Sequence, residues 1–304
     1  MKRIDTLIKD TAELQKERQN VADELLTKEI IKDYLKKNDL DPSLVKRYPM
    51  RFLRLYEQLT LCQKCQGLDN CLLPNVGYYQ ALVEDGGLKS IYRPCRHRLQ
   101  FELDNVHLKN YWINDVPDEM HRVLLSDIDL TKEEDMAYLK AVGTISDWLN
   151  NASTKGLYLF GKVGTGKTYL MACIANRMAM NGKSVTFVHM PKLLVRLKAA
   201  FGDDDEQERI MKDLRLVDLL VLDDIGAEPV TGWYRDEILA TILNERMIKK
   251  RLTCFTSNLD LKELEVNFKY NQRGEVDDLK AIRIMERIKM LADPLKINGK
   301  NRRN

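Results

Sequence analysis

Apolar positions at helical intervals open the chain: Ile4, Leu7 and Ile8, then Val21, Leu25, Leu26, Ile30, Ile31 and Leu35, set in a highly charged stretch from residue 2 to about 38. Spacings of three and four place such residues on one helix face, so the stretch reads as two amphipathic helices. Asp41-Pro42-Ser43 opens a further helical run, which Pro49 interrupts and Met50 to Leu59 resumes, because proline lacks the N–H that a helix interior needs. The pattern then turns to strands at 78–84 and 88–95, around the turn Asp85-Gly86-Gly87, which gives a small hairpin. From 104 to 130 no period is sustained, so this segment is expected to be a linker between a domain of residues 1–103 and a second of residues 131–304. In the second, strands (156–160, 184–189, 217–222, 252–256) alternate with helices (168–180, 191–215, 232–249, 277–291), the pattern of an α/β fold with a parallel sheet.

One of the junctions carries chemistry. Gly161-Lys162-Val163-Gly164-Thr165-Gly166-Lys167-Thr168 follows the apolar run 156–160 and precedes a helical run closed by Asn181-Gly182. Glycines at 161, 164 and 166 let the backbone fold around an anion with its N–H groups inward; Thr165 completes the turn, Lys167 brings a mobile positive charge, and the Thr168 hydroxyl can ligate Mg²⁺ at the helix start. The expected ligand is a nucleoside triphosphate.

Further along, Leu219-Leu220-Val221-Leu222 ends in Asp223-Asp224. A carboxylate leaving a buried strand beside a phosphate loop can hold the metal, and its neighbour can activate water, so Asp223 is assigned to Mg²⁺ and Asp224 to the attacking water. The strand unit beginning at Ser184 intervenes in sequence between the loop and the acidic strand, a feature by which the additional-strand ATPases resemble one another. Thr256-Ser257-Asn258 ends the next strand, and Asn258, with Thr256 as second choice, is the candidate to orient water against the terminal phosphate. Arg283 and Arg287 share one face of the 277–291 helix, where a guanidinium can reach a nucleotide bound by a neighbouring copy.

Composition narrows the setting. With 304 residues, 44% of them hydrophobic, and a net charge of +3 from 49 basic and 46 acidic side chains, the totals demand no nucleic-acid partner. The basic segment 280–303 faces the nucleotide, DNA or solvent alone. No stretch has the length of a membrane span and the start lacks the apolar core of a secretion signal, so a cytoplasmic protein is expected. Cys62, Cys65, Cys71 and Cys95 straddle the hairpin; in a reducing compartment tetrahedral Zn²⁺ is favoured over free structural cysteines or disulfides, with His97 as a possible replacement in the fourth position. Cys173 and Cys254 read as small core residues. Trp233, Tyr234 and Phe201 suit either DNA-base stacking or packing.

Taken together, the phosphate loop, Leu220-Val221-Leu222-Asp223-Asp224-Ile225-Gly226-Ala227-Glu228, Thr256-Ser257-Asn258 and Arg283-Ile284-Met285-Glu286-Arg287 resemble the AAA+ replicative helicase loaders of bacteria, the DnaI/DnaC family. That likeness covers residues 150–304, and the helical, cysteine-bearing N-terminal part looks more like the DnaI type. The resemblance implies an AAA+ ATPase that binds the hexameric replicative helicase through its N-terminal domain, contacts single-stranded DNA through its ATPase domain and self-associates on ATP or helicase. Matched by motif, Lys167 and Thr168 are the Walker A pair, Asp223 and Asp224 the Walker B pair, Asn258 is sensor 1, Arg287 the arginine finger, and Arg302 or Arg303 falls near sensor 2. Asp224 stands where the broader AAA+ pattern has Glu, and slow basal turnover is expected. Two alternatives are a transposition helper ATPase and a nucleotide-gated DNA-binding adaptor with little hydrolysis.

Overall fold

The computed structural model describes residues 2–129, 135–151, 153–270, 276–299 and 301–302, with side chains from residue 14 onward. Two compact units divide the chain, residues 1–104 and 105–304.

In the first unit the expected helices form as α1 (Lys2–Thr27), α2 (Glu29–Lys37), α3 (Ser43–Arg47) and α4 (Pro49–Gln63). Pro49 is not a flaw in a longer helix; it begins α4, where its absent N–H leaves no bond unmade. Ala22, Leu25, Ile31, Leu35, Val45, Phe52 and Leu55 bury their side chains together with Leu82 and Leu88 of an antiparallel hairpin, β1 (Tyr78–Glu84) and β2 (Leu88–Pro94). The Tyr34 hydroxyl fastens helix to hairpin, donating to Leu82 O at 3.0 Å and accepting from Leu82 N at 2.9 Å. Helix α5 (Arg96–Asp104) closes the unit.

The second unit is a six-stranded parallel sheet between helical layers. Its elements are β3 (Tyr111–Asn114), α6 (Met136–Asn150), β4 (Gly156–Phe160), α7 (Lys167–Met180), β5 (Val185–His189), α8 (Met190–Ala199), α9 (Asp204–Leu216), β6 (Leu219–Asp223), α10 (Ala240–Ile248), β7 (Leu252–Ser257), α11 (Leu261–Lys269), α12 (Asp278–Leu291) and β8 (Ala292–Lys296). A π-helical stretch, Trp233–Leu239, leads into α10. Alternate strand residues feed two cores: Leu219 and Val221 pack with Leu170, Ile174 and Ile145, while Leu220 and Leu222 pack with Leu193, Leu243 and Ile288. This is the two-residue period of a strand buried on both faces.

The strands run in the order β3-β5-β6-β7-β4-β8. The strand lying between the phosphate-loop strand β4 and the acidic strand β6 is β7; β5, which intervenes in sequence, lies on the far side of β6. The segment 104–130 is not a linker: β3 extends the sheet beside β5, and Asn176 of α7 ties it down by donating to Met120 O (2.9 Å) and Val123 O (3.0 Å) and accepting from Tyr111 Oη (2.7 Å).

The fully buried Arg246 secures the starts of β6 and β7 together. Its guanidinium donates to Thr253 Oγ1 (2.9 Å), Leu214 O (3.1 Å), Val217 O (3.0 Å) and Leu252 O. Arg246→Met leaves those acceptors buried and unpaired, and should cost the second unit about 3 kcal/mol or more. Trp112, Trp148 and Trp233 all belong to this unit, so urea unfolding followed by tryptophan fluorescence reads the loss.

Candidate nucleotide-binding site

The strand order brings the phosphate loop, the acidic strand end and the end of β7 together. Gly161 and Gly164 hold φ of +147° and +80°, a region closed to most side chains. At Gly164 there is also no room, since a Cβ would lie 2.1 Å from Asn301 Oδ1. Thr165 is buried, its hydroxyl donating to Lys162 O at 2.9 Å. Gly166 caps α7, and Lys167 begins it. The Lys167 ammonium, largely buried, donates to Gly161 O, Lys162 O and Asn258 Oδ1, each at 2.9 Å.

Asp223 is 4% exposed. Burial pushes its carboxyl above the usual carboxylate range, opposed by hydroxyls donating to Oδ1 from Thr256 at 2.6 Å and Thr168 at 3.0 Å. Thr256 has a second task, accepting from Asp224 N at 2.9 Å. Asp224 sits at φ +60°, strained for a residue with a side chain, and its Oδ1 accepts from Asn258 Nδ2 at 3.0 Å. The amide of Asn258 therefore bridges Lys167 and Asp224.

Gly164, Gly166, Lys167, Thr168, Asp223, Asp224, Thr256 and Asn258 line a cavity of about 520 Å³, within the range that encloses a small ligand. Of its other walls, only Arg302 was named from the sequence. Pro117, Met120 and Ile128 come from the segment expected to be a linker, and Tyr138 from α6; Tyr169, His189 and Arg302 complete the lining. The apolar members suit a flat base, the polar ones a polyphosphate. The Arg302 guanidinium stacks 3.6 Å from the Tyr138 ring centre, and Arg302 N donates to Gly164 O at 2.8 Å. Arg303 lies outside the described residues.

Other expected residues fall elsewhere. Arg287 is half-buried and Arg283 exposed on α12, and neither lines the cavity. Tyr234 is fully buried, its hydroxyl bonded to Glu228, which removes it from any stacking surface. Phe201 is 57% exposed and meets Trp233 edge-on at 4.9 Å. In the first unit Cys62, Cys65, Cys71 and Cys95 are free and half-buried. Burial, then the nearby Cys95, Cys65 and Cys71, push the Cys62 thiol above its ordinary range. His97 turns Nε2 to Cys65 O at 3.1 Å. The expected tetrahedral set is gathered but not formed: among the described residues no three His, Cys, Asp or Glu side chains are arranged to hold a metal ion. Among them, too, no helix is long and apolar enough to cross a membrane.

A phosphate loop on a parallel sheet, with paired aspartates opposite, defines an ATP-binding protein of the P-loop class. The family model described as "IstB-like ATP binding protein" matches residues 114–304. The replicative helicase loader DnaI of Bacillus subtilis (strain 168) is 30% identical over 299 residues, 96% of this chain and 95% of that protein. The chain belongs to the IstB-like ATP-binding family, among the DnaI-type helicase loaders. The replicative helicase loader DnaC of Escherichia coli (strain K12) is 34% identical over 105 residues, 34% of this chain and 42% of that one. Among solved structures, a crystal structure of DnaI shares 36% identity at a TM-score of 0.54, covering 62% of this chain and 98% of its own. A putative primosome component from Streptococcus pyogenes serotype M3 shares 31% at 0.51, covering 65% and 97%.

Gly164→Ala should lower affinity for a fluorescent ATP analogue at least about tenfold, since the methyl displaces Asn301 and strains the loop. Gly67→Ala, where a Cβ meets nothing within 4 Å, should leave it unchanged in the same titration.

Proposed function

We propose that this protein is an AAA+ ATPase that binds the hexameric replicative DNA helicase and helps deliver it onto single-stranded DNA. The observation that carries the reading is the likeness to a replicative helicase loader over both units, 96% of this chain. A transposition helper would need only the second unit, where the IstB-like match lies; the continuation of the DnaI likeness through the first unit favours the loader. The adaptor with little hydrolysis gains no support from any observation of its own.

Within the cavity, the Thr168 hydroxyl and the Asp223 carboxylate already face each other at 3.0 Å, which fits them to share a Mg²⁺ ion. Magnesium, when bound, neutralises charge on the phosphates. Lys167 pairs with the phosphates in exchange for loop carbonyls. Asp224 takes the proton of the attacking water, Asn258 orients that water, and Arg302 lies within reach of the phosphate loop as the sensor 2 candidate. Arg287, remote from its own cavity, acts on a nucleotide held by a second copy, so self-association accompanies turnover. Asp224, one methylene shorter than glutamate, keeps the unassisted rate slow. The first unit meets the helicase, and exposed Phe201 is a candidate contact for single-stranded DNA. Such work belongs in the cytoplasm.

The protein should copurify with a hexameric helicase, and its ATP hydrolysis should rise when that helicase is added. Lys167→Ala should weaken nucleotide binding about tenfold or more, whereas Arg287→Ala should leave binding intact and remove the helicase-dependent rise. Recovery of a transposase in place of a helicase would overturn the loader reading; identical behaviour of the two variants in dilute protein would overturn the trans role of Arg287.

The cysteine module adds a structural Zn²⁺ to this reading, held by Cys62, Cys65, Cys71 and Cys95. Support comes from their convergence as free thiols on the end of α4, the turn after it and the end of β2; the metal would supply a tetrahedral cross-link there. Atomic spectroscopy of protein purified without chelator should find about one zinc per chain, and a value near zero removes the assignment.

A further inference from the structure

An asparagine with no solvent exposure stands in the helix that the phosphate loop begins. Asn176 of α7 is buried among Cys173, Ile174, Ala175 and Ala179 of the same helix. Asparagine is a poor helix former, and an amide taken out of water is unfavourable unless its hydrogen bonds are replaced. At Asn176 they are replaced by chain outside the helix: Nδ2 donates to Met120 O at 2.9 Å and Val123 O at 3.0 Å, and Oδ1 accepts from Tyr111 Oη at 2.7 Å. A second tether lies one turn further on, where Asn110 Nδ2 donates to Ala179 O at 2.8 Å.

The carbonyls that Asn176 holds belong to a stretch with few backbone partners of its own. Residues 115–128 form only two short 3₁₀ turns, Asp118–Met120 and Leu125–Asp127, and the buried carbonyls of irregular chain must find donors elsewhere. Side chains supply them in succession. His121 Nε2 donates to Val116 O at 3.0 Å, and the buried His107 donates from Nε2 to His121 O at 2.7 Å. Asn176 takes Met120 O and Val123 O, and of these donors it is the one carried by α7.

Pro117, Met120 and Ile128 of this stretch line the nucleotide cavity, as do Lys167, Thr168 and Tyr169 of α7. One helix therefore bears both the groups that face a polyphosphate and the amide that fixes the apolar wall. We propose that Asn176 is a positioning residue for the base of the bound nucleotide: it holds the 116–123 stretch from behind and so sets the wall of Pro117, Met120 and Ile128 against which the base lies. Because the amide and the phosphate-binding groups ride on one hydrogen-bonded helix, the distance from wall to phosphate site is set before the ligand arrives. The inference rests on the nucleotide-binding reading above and deepens it with a residue that touches no ligand.

The test titrates the full chain, with Mg²⁺, against ATP and against inorganic tripolyphosphate, which offers the phosphates without ribose or base. Asn176→Ala releases Met120 O and Val123 O, so the wall occupies its binding arrangement for only part of the time and apparent affinity falls by that fraction. ATP binding should weaken between about fivefold and fiftyfold, with tripolyphosphate binding held within about twofold. Met120→Ala, a change in the wall itself, should show the same selectivity, and the double variant should lose less than the product of the two single losses, because both act on one contact. If Asn176→Ala does not fold, Tyr111→Phe, which removes the hydroxyl that orients the amide, should weaken ATP selectively by a smaller factor. Independently of any ligand, amide hydrogen exchange in residues 116–123 should quicken in the Asn176 or the Tyr111 variant while that of the central strands stays unchanged. Equal losses for ATP and tripolyphosphate, unchanged ATP affinity, or losses that multiply in the double variant would each overturn the inference, as would an unaltered protein that binds the two ligands equally well. If the unaltered protein binds neither, the nucleotide reading fails, and the exchange comparison still decides whether Asn176 holds the wall.

Discussion

A carboxylate withdrawn from water keeps its charge only where donors meet it, and Asp223 imposes that requirement on the whole second unit. Its donors come from two different elements, Thr168 on the first turn of α7 and Thr256 near the end of β7. Neither can be supplied unless β7 lies beside β6 and the phosphate loop runs from β4 into α7 close by. The sheet order is thus tied to the chemistry. Leaving a buried carboxylate oxygen unpaired costs more than the roughly 1–3 kcal/mol of a neutral group, a sizeable share of a domain's stability. The same hydroxyl of Thr256 holds the amide of Asp224 in its left-handed turn, so adjacent acids with different tasks depend on one threonine.

Much of this was legible in the residues, and the reasons for the rest are physical. The central strands must be apolar on both faces, which is why 156–160, 217–222 and 252–256 stood out, and a phosphate loop has few other uses. The edge strands β3 and β8 escaped notice because an edge faces solvent and tolerates polar residues and proline: Tyr111–Asn114 ends in asparagine, and Ala292–Lys296 contains Asp293 and Pro294. Missing β3 made a linker of a segment that supplies Pro117, Met120 and Ile128 to the cavity. No periodicity marks such residues, since they line a hollow and not a core.

Spatial neighbours distant in sequence were the other blind spot. β5 intervenes in sequence between the loop strand and the acidic strand, whereas the strand between them in space is β7, a placement on which sequence order is silent. Thr256 was ranked behind Asn258 as a candidate, and the two divide the work, the threonine serving both aspartates and the asparagine joining Lys167 to Asp224. His189 closes a strand without any surrounding motif. The family resemblance, by contrast, needed only the combination of short motifs, each weak alone, and it survived because helix and hairpin signals in the first unit agreed with it.

The neighbours of β4 have a bearing on how the molecule is made. Both β7 and β8, the strands that flank β4, follow it by a long stretch of chain, and the last of them leads directly into the bonds Ile297 N to Phe160 O and Arg302 N to Gly164 O. Parallel pairings this far apart form late, after the entropy of the intervening loops has been overcome. On the ribosome, the phosphate loop emerges well before the residues that brace it, so a nascent chain exposes an unfinished cradle until β8 and the stretch that follows it have also emerged.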